Sequence, residues 1–272
     1  MSNNLLKGKK GIIFGALNSN SIAWQVAELA HNEGAEFILT NAPIALRMGE
    51  LDELAAKTKS DVIPADVTSM EDLENLFSKA QEKFGKIDFI LHSIGMSINV
   101  RKKIHYTETN YDFYNKAMDI SAISFHKVMK VAKEKDIMNE WGSVLALSFI
   151  AAQRSIPGYN DMSDAKSLLE SIARTFGYYY GIDKKVRVNT ISQSPTKTTA
   201  GGGIKGFDSL YNYADYNSPL GNAPALDCAK YCIMMFSDFT KYVTMQNLFH
   251  DGGFSSTGVS DRVIHQFEKG FE

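Results

Sequence analysis

Only two cysteines occur in the 272 residues, Cys228 and Cys232, four positions apart. That spacing stacks them one turn apart on a helix, so no disulfide framework organises the chain and core packing is their expected role. Proline is sparse. No stretch rich in proline, glycine or serine and no internal repeat divides the sequence, which points to one domain spanning 1–272. No apolar run approaches the ~20 residues of a membrane span, and the opening MSNNLLKGKKGIIFGA lacks the apolar core of a signal peptide. A cytoplasmic protein without a membrane partner is expected. Neither charge sign dominates: 29 Lys and Arg face 31 Asp and Glu, so the basic footprint of a nucleic-acid binder is missing. The six histidines are scattered, and no metal site is expected.

What the chain does contain is an alternation of short apolar runs with helical patterns. GIIFG, EFILT, DVIPA, DFILHS, SVLALS, VRVNTIS and VTMQNLF read as seven strands separated by segments of helical period. This predicts an α/β, doubly wound, Rossmann-type domain: a seven-stranded parallel sheet with helices on both faces. Thr68 and Glu71 fit a capping box ahead of Leu73, Leu76, Phe77 and Ala80, and that helix should end at Gly85. In such sheets ligands bind beyond the carboxyl ends of the strands. The expected strand exits are Gly15-Ala16, Asp66-Val67, Ser93-Ile94-Gly95, Ser148-Phe149 and Ser194 to Thr198. All five turns carry small or hydrogen-bonding residues.

Two sequence features suggest chemistry. Gly15, followed by a helix beginning near Ser21 and Ile22, makes a βα turn whose helix N-terminus suits a pyrophosphate, although the three-glycine fingerprint is missing. Tyr159 and Lys166 are seven apart; on one helix, seven steps would bring them within about 20° of each other, separated by about 10 Å along the axis. A phenol that donates a proton, beside an ammonium that holds a ribose and depresses the phenol's pKa, is what nicotinamide-dependent reduction needs.

Gly15 with Ser21-Ile22-Ala23, Asp66-Val67, His92-Ser93-Ile94-Gly95, Ser148, Tyr159 with Lys166, Val186-Arg187-Val188-Asn189 and Asp251-Gly252-Gly253-Phe254 together resemble the NADH-dependent enoyl-acyl carrier protein reductases of the short-chain dehydrogenase/reductase superfamily. The resemblance runs from about Lys7 to Phe254. Its most specific element is the seven-residue step to Lys166; ordinary superfamily members place the lysine four after the tyrosine, where this chain has Ser163. An enoyl thioester receives hydride at its β-carbon while negative charge gathers on the thioester oxygen, so the proton donor must be displaced relative to that of a carbonyl reductase. The resemblance implies that Tyr159 hydrogen-bonds the developing enolate oxygen and that Lys166 holds the nicotinamide ribose. It also implies cofactor contacts from Gly15, Ser21, Ile22, Asp66, Val67, Ser93, Ile94, Gly95, Thr196 and Thr198, with Asp66 and Val67 at the adenine. Substrate contacts are expected from Ser97, Phe149, Tyr159 and Phe207. Phe149 occupies a place where the family commonly has a second tyrosine, and is expected to line the acyl pocket, with core packing as its other reading.

Strand two ends in Thr40-Asn41-Ala42-Pro43, with neither a carboxylate for a ribose diol nor an arginine for a 2′-phosphate. The resemblance favours NADH, while Arg47 leaves NADPH open. Residues 194–215, with Gly201-Gly202-Gly203, look like a substrate lid, and Phe207, Leu210, Tyr211 and Tyr213 like its apolar wall; 255–272 forms a tail. Arg101, Lys102, Lys103 and Lys205 are candidate contacts for an acidic acyl carrier protein, against a plain solvated surface. The family further implies a homotetramer. A 3-oxoacyl or other carbonyl reductase on the same fold, and a nicotinamide-sensing protein without turnover, are the alternatives.

Overall fold

The computed structural model describes residues 3–48, 50–198 and 206–270. Strands β1 (Lys10–Phe14), β2 (Glu36–Thr40), β3 (Asp61–Val62), β4 (Ile87–His92), β5 (Met138–Ser148), β6 (Arg187–Gln193) and β7 (Asn247–His250) form one sheet in the order β3-β2-β1-β4-β5-β6-β7. Every pairing is parallel. Between and after the strands lie α1 (Ile22–Asn32), α2 (Pro43–Met48), α3 (Leu51–Thr58), α4 (Met70–Phe84), α5 (Ile98–Arg101), α6 (Tyr111–Met118), α7 (Ser124–Glu134), α8 (Asp161–Lys184), α9 (Phe207–Asn217), α10 (Ala225–Phe236) and α11 (Asp261–Lys269).

Because strand side chains alternate between faces, each strand feeds two apolar layers. Ile12, Phe14, Ile90, Val144 and Val188 pack with Leu76 and Phe77 of α4, Val128 of α7 and Leu169 of α8. Ile13, Leu39, Phe89, Leu145 and Ile191 pack on the other side with Val26 of α1, Leu54 of α3 and Phe236 of α10. Cys228 and Cys232 are unbridged and buried in this second layer, as their spacing suggests. The doubly wound sheet with helices on both faces is thus the observed architecture. No helix among the described residues is long and apolar enough to cross a membrane.

Local departures from the expected elements have local causes. β3 is only two residues long, yet Ile63 and Ala65 still donate to Leu39 O and Asn41 O on either side of Pro64, whose missing N–H falls on the open edge of the sheet. β7 starts at Asn247, not Val243, because Met245 turns the chain with φ 62°. β5 begins earlier than expected, through a bulge at which Trp141 has φ 63°. The expected capping box does not form, because the Asp72 carboxylate accepts from Asp66 N and not from the N-cap N–H. Ser69, not Thr68, is the N-cap of α4 and accepts from Asp72 N, whereas the Thr68 hydroxyl donates to Asp66 Oδ1. Gly85 ends that helix as expected.

Candidate active site

The strand order reverses between β1 and β4, and a cavity opens at the carboxyl ends of the central strands, where such sheets hold ligands. Beside it, β1 and β4 exit in close backbone approach, and Gly15 itself lies outside the cavity lining. Gly15 has φ +93°, and a Cβ there would fall 2.0 Å from Ser93 O, so only glycine lets the exits of β1 and β4 meet. Ile22, Ser93, Ile94, Gly95, Ser97, Phe149, Tyr159, Lys166, Thr196, Thr198 and Phe207 all line the cavity, joined by Leu210 and Arg101. A Cβ on Gly95 would lie 3.2 Å from Met162 Cε and 3.6 Å from Lys166 Nζ, so the missing side chain lets Met162 and the lysine pack close to this backbone.

Lys166 lies in the second turn of α8, and its buried Nζ donates to Leu147 O at 2.7 Å. Burial lowers its pKa to about 8, with nearby Glu170 pulling in the other direction. Glu170, four residues on, accepts from Ser148 Oγ at 2.6 Å and from Gln153 Nε2 at 3.0 Å, tying the exit of β5 to α8.

Tyr159 and Lys166 do not share a helix. α8 begins at Asp161, so the helical argument for their common face fails, and a turn brings the phenol to the same cavity. Gly158 has φ 84° and Asn160 has φ 46°, ψ -128°. The tyrosine between them donates its N–H to Ile156 O and accepts from Met162 N, both at 3.1 Å. Burial pushes the phenol well above the usual tyrosine range, so it stays protonated at neutral pH; desolvation is the cause, and the expected depression by Lys166 is not seen. Phe149 stacks obliquely on it with ring centroids 5.0 Å apart, and Ile150, Ala151, Ile156, Leu210 and Phe254 complete an apolar patch.

Several expected contacts take a different form. Ser21 precedes α1, but its hydroxyl donates to Asn18 O and accepts from Leu17 N, shaping the turn. The Ser97 hydroxyl caps α5 and donates to Asp161 Oδ1 at 2.6 Å. Thr196 Oγ1 donates to Ser194 O. Asp66 lies outside the cavity lining with its carboxylate accepting from Thr68, and the Val67 side chain belongs to the core. Of the proposed lid wall, Phe207 and Leu210 face the cavity; Tyr211 lies under Lys197 Nζ, and Tyr213 is exposed against Phe254. Residues 199–205, including Gly201 to Gly203 and Lys205, fall outside the described residues.

Sequence reasoning missed Met96, Met162, Gln193 and the buried polar residues behind the cavity. A π-helical turn, Asp119–Ile123, presents Ser121 to both the N–H and the carbonyl of Met96. His92, fully buried beside the lysine, has its pKa lowered to about 3, chiefly by desolvation. Its Nε2 meets Ser124 Oγ at 2.9 Å; that hydroxyl already donates to Ile120 O, so Nε2 carries the imidazole proton. Glu170 was legible as the i+4 neighbour of Lys166 on one helix face.

A doubly wound parallel sheet with a crevice at its switch point, lined by a tyrosine and a buried lysine, defines a nicotinamide-dependent reductase of the short-chain dehydrogenase type. The family model described as enoyl-(acyl carrier protein) reductase matches residues 15–255, and the chain belongs to that family. It is 62% identical to the FabI–NADH complex from Alistipes finegoldii, with a TM-score of 0.96 over 98% of this chain and 95% of that one. It is also similar to the enoyl-[acyl-carrier-protein] reductase (NADH) from Aquifex aeolicus VF5, at 31% identity and a TM-score of 0.87 over 94% of this chain and 100% of that one. Among curated proteins, the enoyl-[acyl-carrier-protein] reductase [NADH] 2 of Rhizobium meliloti (strain 1021) is 34% identical over 94% of this chain and 95% of its own length.

Proposed function

We propose that this protein reduces trans-2-enoyl thioesters carried on acyl carrier protein, with NADH, in fatty-acid biosynthesis. The observation that carries the reading is that Tyr159 and Lys166 line one cavity with the apolar surface of Phe149, Phe207 and Leu210. Bound NADH supplies the hydride. Ile22, at the N-terminus of α1, lines the same cavity as Ser93, Ile94 and Gly95, which fits a pyrophosphate at the helix start beyond the carboxyl ends of β1 and β4. Gly15, Ser21, Ile22, Ser93, Ile94 and Gly95 would hold the cofactor, Thr196 and Thr198 its nicotinamide end, and Asp66 and Val67 the adenine, through backbone more than side chain.

Lys166, protonated below about 8, donates to the ribose hydroxyls and keeps its bond to Leu147 O. Tyr159 keeps its proton and aims a hydrogen bond at the thioester oxygen, where charge gathers. Phe149 contributes no donor, so the oxygen relies on Tyr159, and the Phe149 ring borders both the phenol and the acyl chain. Ser97 contributes surface and a positioned loop more than a hydroxyl. Of the expected lid, Pro195, Thr196, Phe207 and Leu210 border the substrate, and Arg101 with Lys102 and Lys103 meets the acidic carrier. We further infer a cytoplasmic homotetramer, which the exposed Ile123, Tyr178, Tyr179 and Ile182 on the α7–α8 side support.

The test is NADH oxidation with crotonyl and acetoacetyl thioesters side by side, with short to long enoyl chains and with NADPH as a second donor. Turnover confined to the enoyl series with NADH supports the reading. Preference for acetoacetyl thioester would make the protein a carbonyl reductase, and tight NADH binding without turnover on any thioester would make it a sensor.

A further inference from the structure

Tyr159 stands outside α8, so helical geometry does not hold it, and something else must. The next two residues are both pinned to the segment that follows β4. Asn160 Nδ2 donates to Ile104 O at 2.6 Å. Asp161, fully buried as the first residue of α8, accepts from Ser97 Oγ at 2.6 Å and from Asn99 Nδ2 at 2.8 Å. Asn99 is itself fixed: its Nδ2 also donates to Asn110 O, and its Oδ1 accepts from Asn110 N. Ser97 is held in turn because its oxygen accepts from Val100 N. The chain from Ser97 to Asn110 and the start of α8 therefore form one closed polar network behind the cavity wall.

A buried carboxylate with two neutral donors is costly to keep, and an apolar side chain would fill the same space without desolvating a charge. The helix N-terminus favours an anion at this first position, which lowers the cost but gives no reason for a link across to another loop. The link has a consequence for geometry. Met162 N donates to Tyr159 O and Ser163 N donates to Asn160 O, so the first turn of α8 carries the tyrosine's peptide with it. Whatever fixes Asp161 against Ser97 and Asn99 fixes the phenol against the cavity wall formed by Met96, Ser97 and Val100.

We propose that Asp161 is a positioning residue for the reaction: its carboxylate, gripped by Ser97 and Asn99, locks the first turn of α8 to the loop after β4 and thereby sets the reach of the Tyr159 hydroxyl. The inference rests on the reading of Tyr159 as the donor to the substrate oxygen. Asp161 touches neither substrate nor cofactor and acts only through the tyrosine. Misplacing a reacting group by about 1 Å costs up to roughly a hundredfold in rate, and that sets the scale.

The experiment is a double-mutant cycle between Asp161→Ala and Tyr159→Phe, run on the full chain with a crotonyl thioester and NADH. Asp161→Ala should lower kcat about tenfold to a hundredfold while changing the NADH dissociation constant less than about threefold. In the Tyr159→Phe background the same change should lower kcat less than about threefold further, because the group it positions is gone. Amide hydrogen exchange at Met162 and Ser163 should quicken, a readout independent of turnover. Asp161→Asn keeps one acceptor and should fall between the parent and Asp161→Ala; it replaces the alanine variant in the cycle if that one does not fold. Equal kcat losses in both backgrounds, or an effect confined to NADH affinity, would overturn the positioning role while leaving the function of Tyr159 intact. Full turnover by Tyr159→Phe alone would instead remove the reading on which the proposal rests, and the proposal with it.

Discussion

The two ends of the reaction crevice are built by opposite means. Lys166 sits within a regular helix, and its ammonium is held by the exit of β5 through Leu147 O. Tyr159 sits on a turn between two residues of positive φ, with polar clasps on the residues that follow it. The lysine end inherits its geometry from the fold. The tyrosine end has a geometry of its own, and that freedom lets a seven-residue step place the phenol away from where a four-residue step on the helix would place it. Function at the lysine end should therefore respond to charge and burial, and at the tyrosine end to the turn.

The largest effect should come from removing the phenol. Tyr159→Phe deletes one hydrogen bond to the oxygen that gains charge, and kcat should fall roughly a hundredfold to a thousandfold, the usual cost of one oxyanion donor. The NADH dissociation constant should change little. Lys166→Met keeps the aliphatic stem and removes the charge, so NADH affinity should fall about tenfold or more, in line with loss of a charge-assisted hydrogen bond. Stopped-flow turnover and NADH fluorescence titration on the two variants check the division directly. Comparable losses in both quantities for both variants would merge the two ends into one device.

A difference in pH response should be smaller. Burial holds Lys166 at about 8, so the cofactor-binding charge is present below that value and is lost as pH rises through it. The NADH dissociation constant should be flat below about 8 and climb above it, and in Lys166→Met the climb should vanish. The phenol is raised by burial and remains a donor across this range, so kcat at saturating NADH should not follow the same titration. A kcat profile that falls with the lysine would show that the two groups titrate as a pair.

Most of the sheet was legible because apolar runs and their exits follow from strand period, and the exits gather on one edge whatever the loops do. Gly15, Ser93 and Gly95 were found that way. The cavity's two central residues were found by spacing, yet the reason offered for their convergence was mistaken: Pro157-Gly158 is a turn signal and Asn160 a favoured N-cap, and together they mark a helix that starts only at Asp161. Ser97 was seen as a cavity residue, but its hydroxyl is consumed by Asp161, a partner 64 residues away. Long-range polar pairing of this kind leaves no periodicity for a sequence to show. Phe149 lines the cavity because it directly follows β5, whereas its neighbour Ser148 gains its partner, Glu170, only when α8 is laid across the sheet.

The smallest effect expected is also the one that probes the turn itself. Asn160 adopts φ 46° and ψ -128°, a region that costs a non-glycine residue about 1–3 kcal/mol. Its side chain offsets part of that cost by donating to Ile104 O, a bond worth roughly 0.5–1.5 kcal/mol. Asn160→Gly relieves the strain, loses the bond and loosens the unfolded chain, so the terms nearly cancel and stability should stay within about 1 kcal/mol of the parent. Asn160→Ala keeps the strain and loses the bond, and should be less stable by about 1–2 kcal/mol, which for a chain of this size lowers Tm by roughly 2–8 °C. Thermal unfolding of the two variants separates strain from clasp. If alanine is tolerated as well as glycine, the turn is not held by Asn160, and the tyrosine's position must rest on the Asp161 network alone.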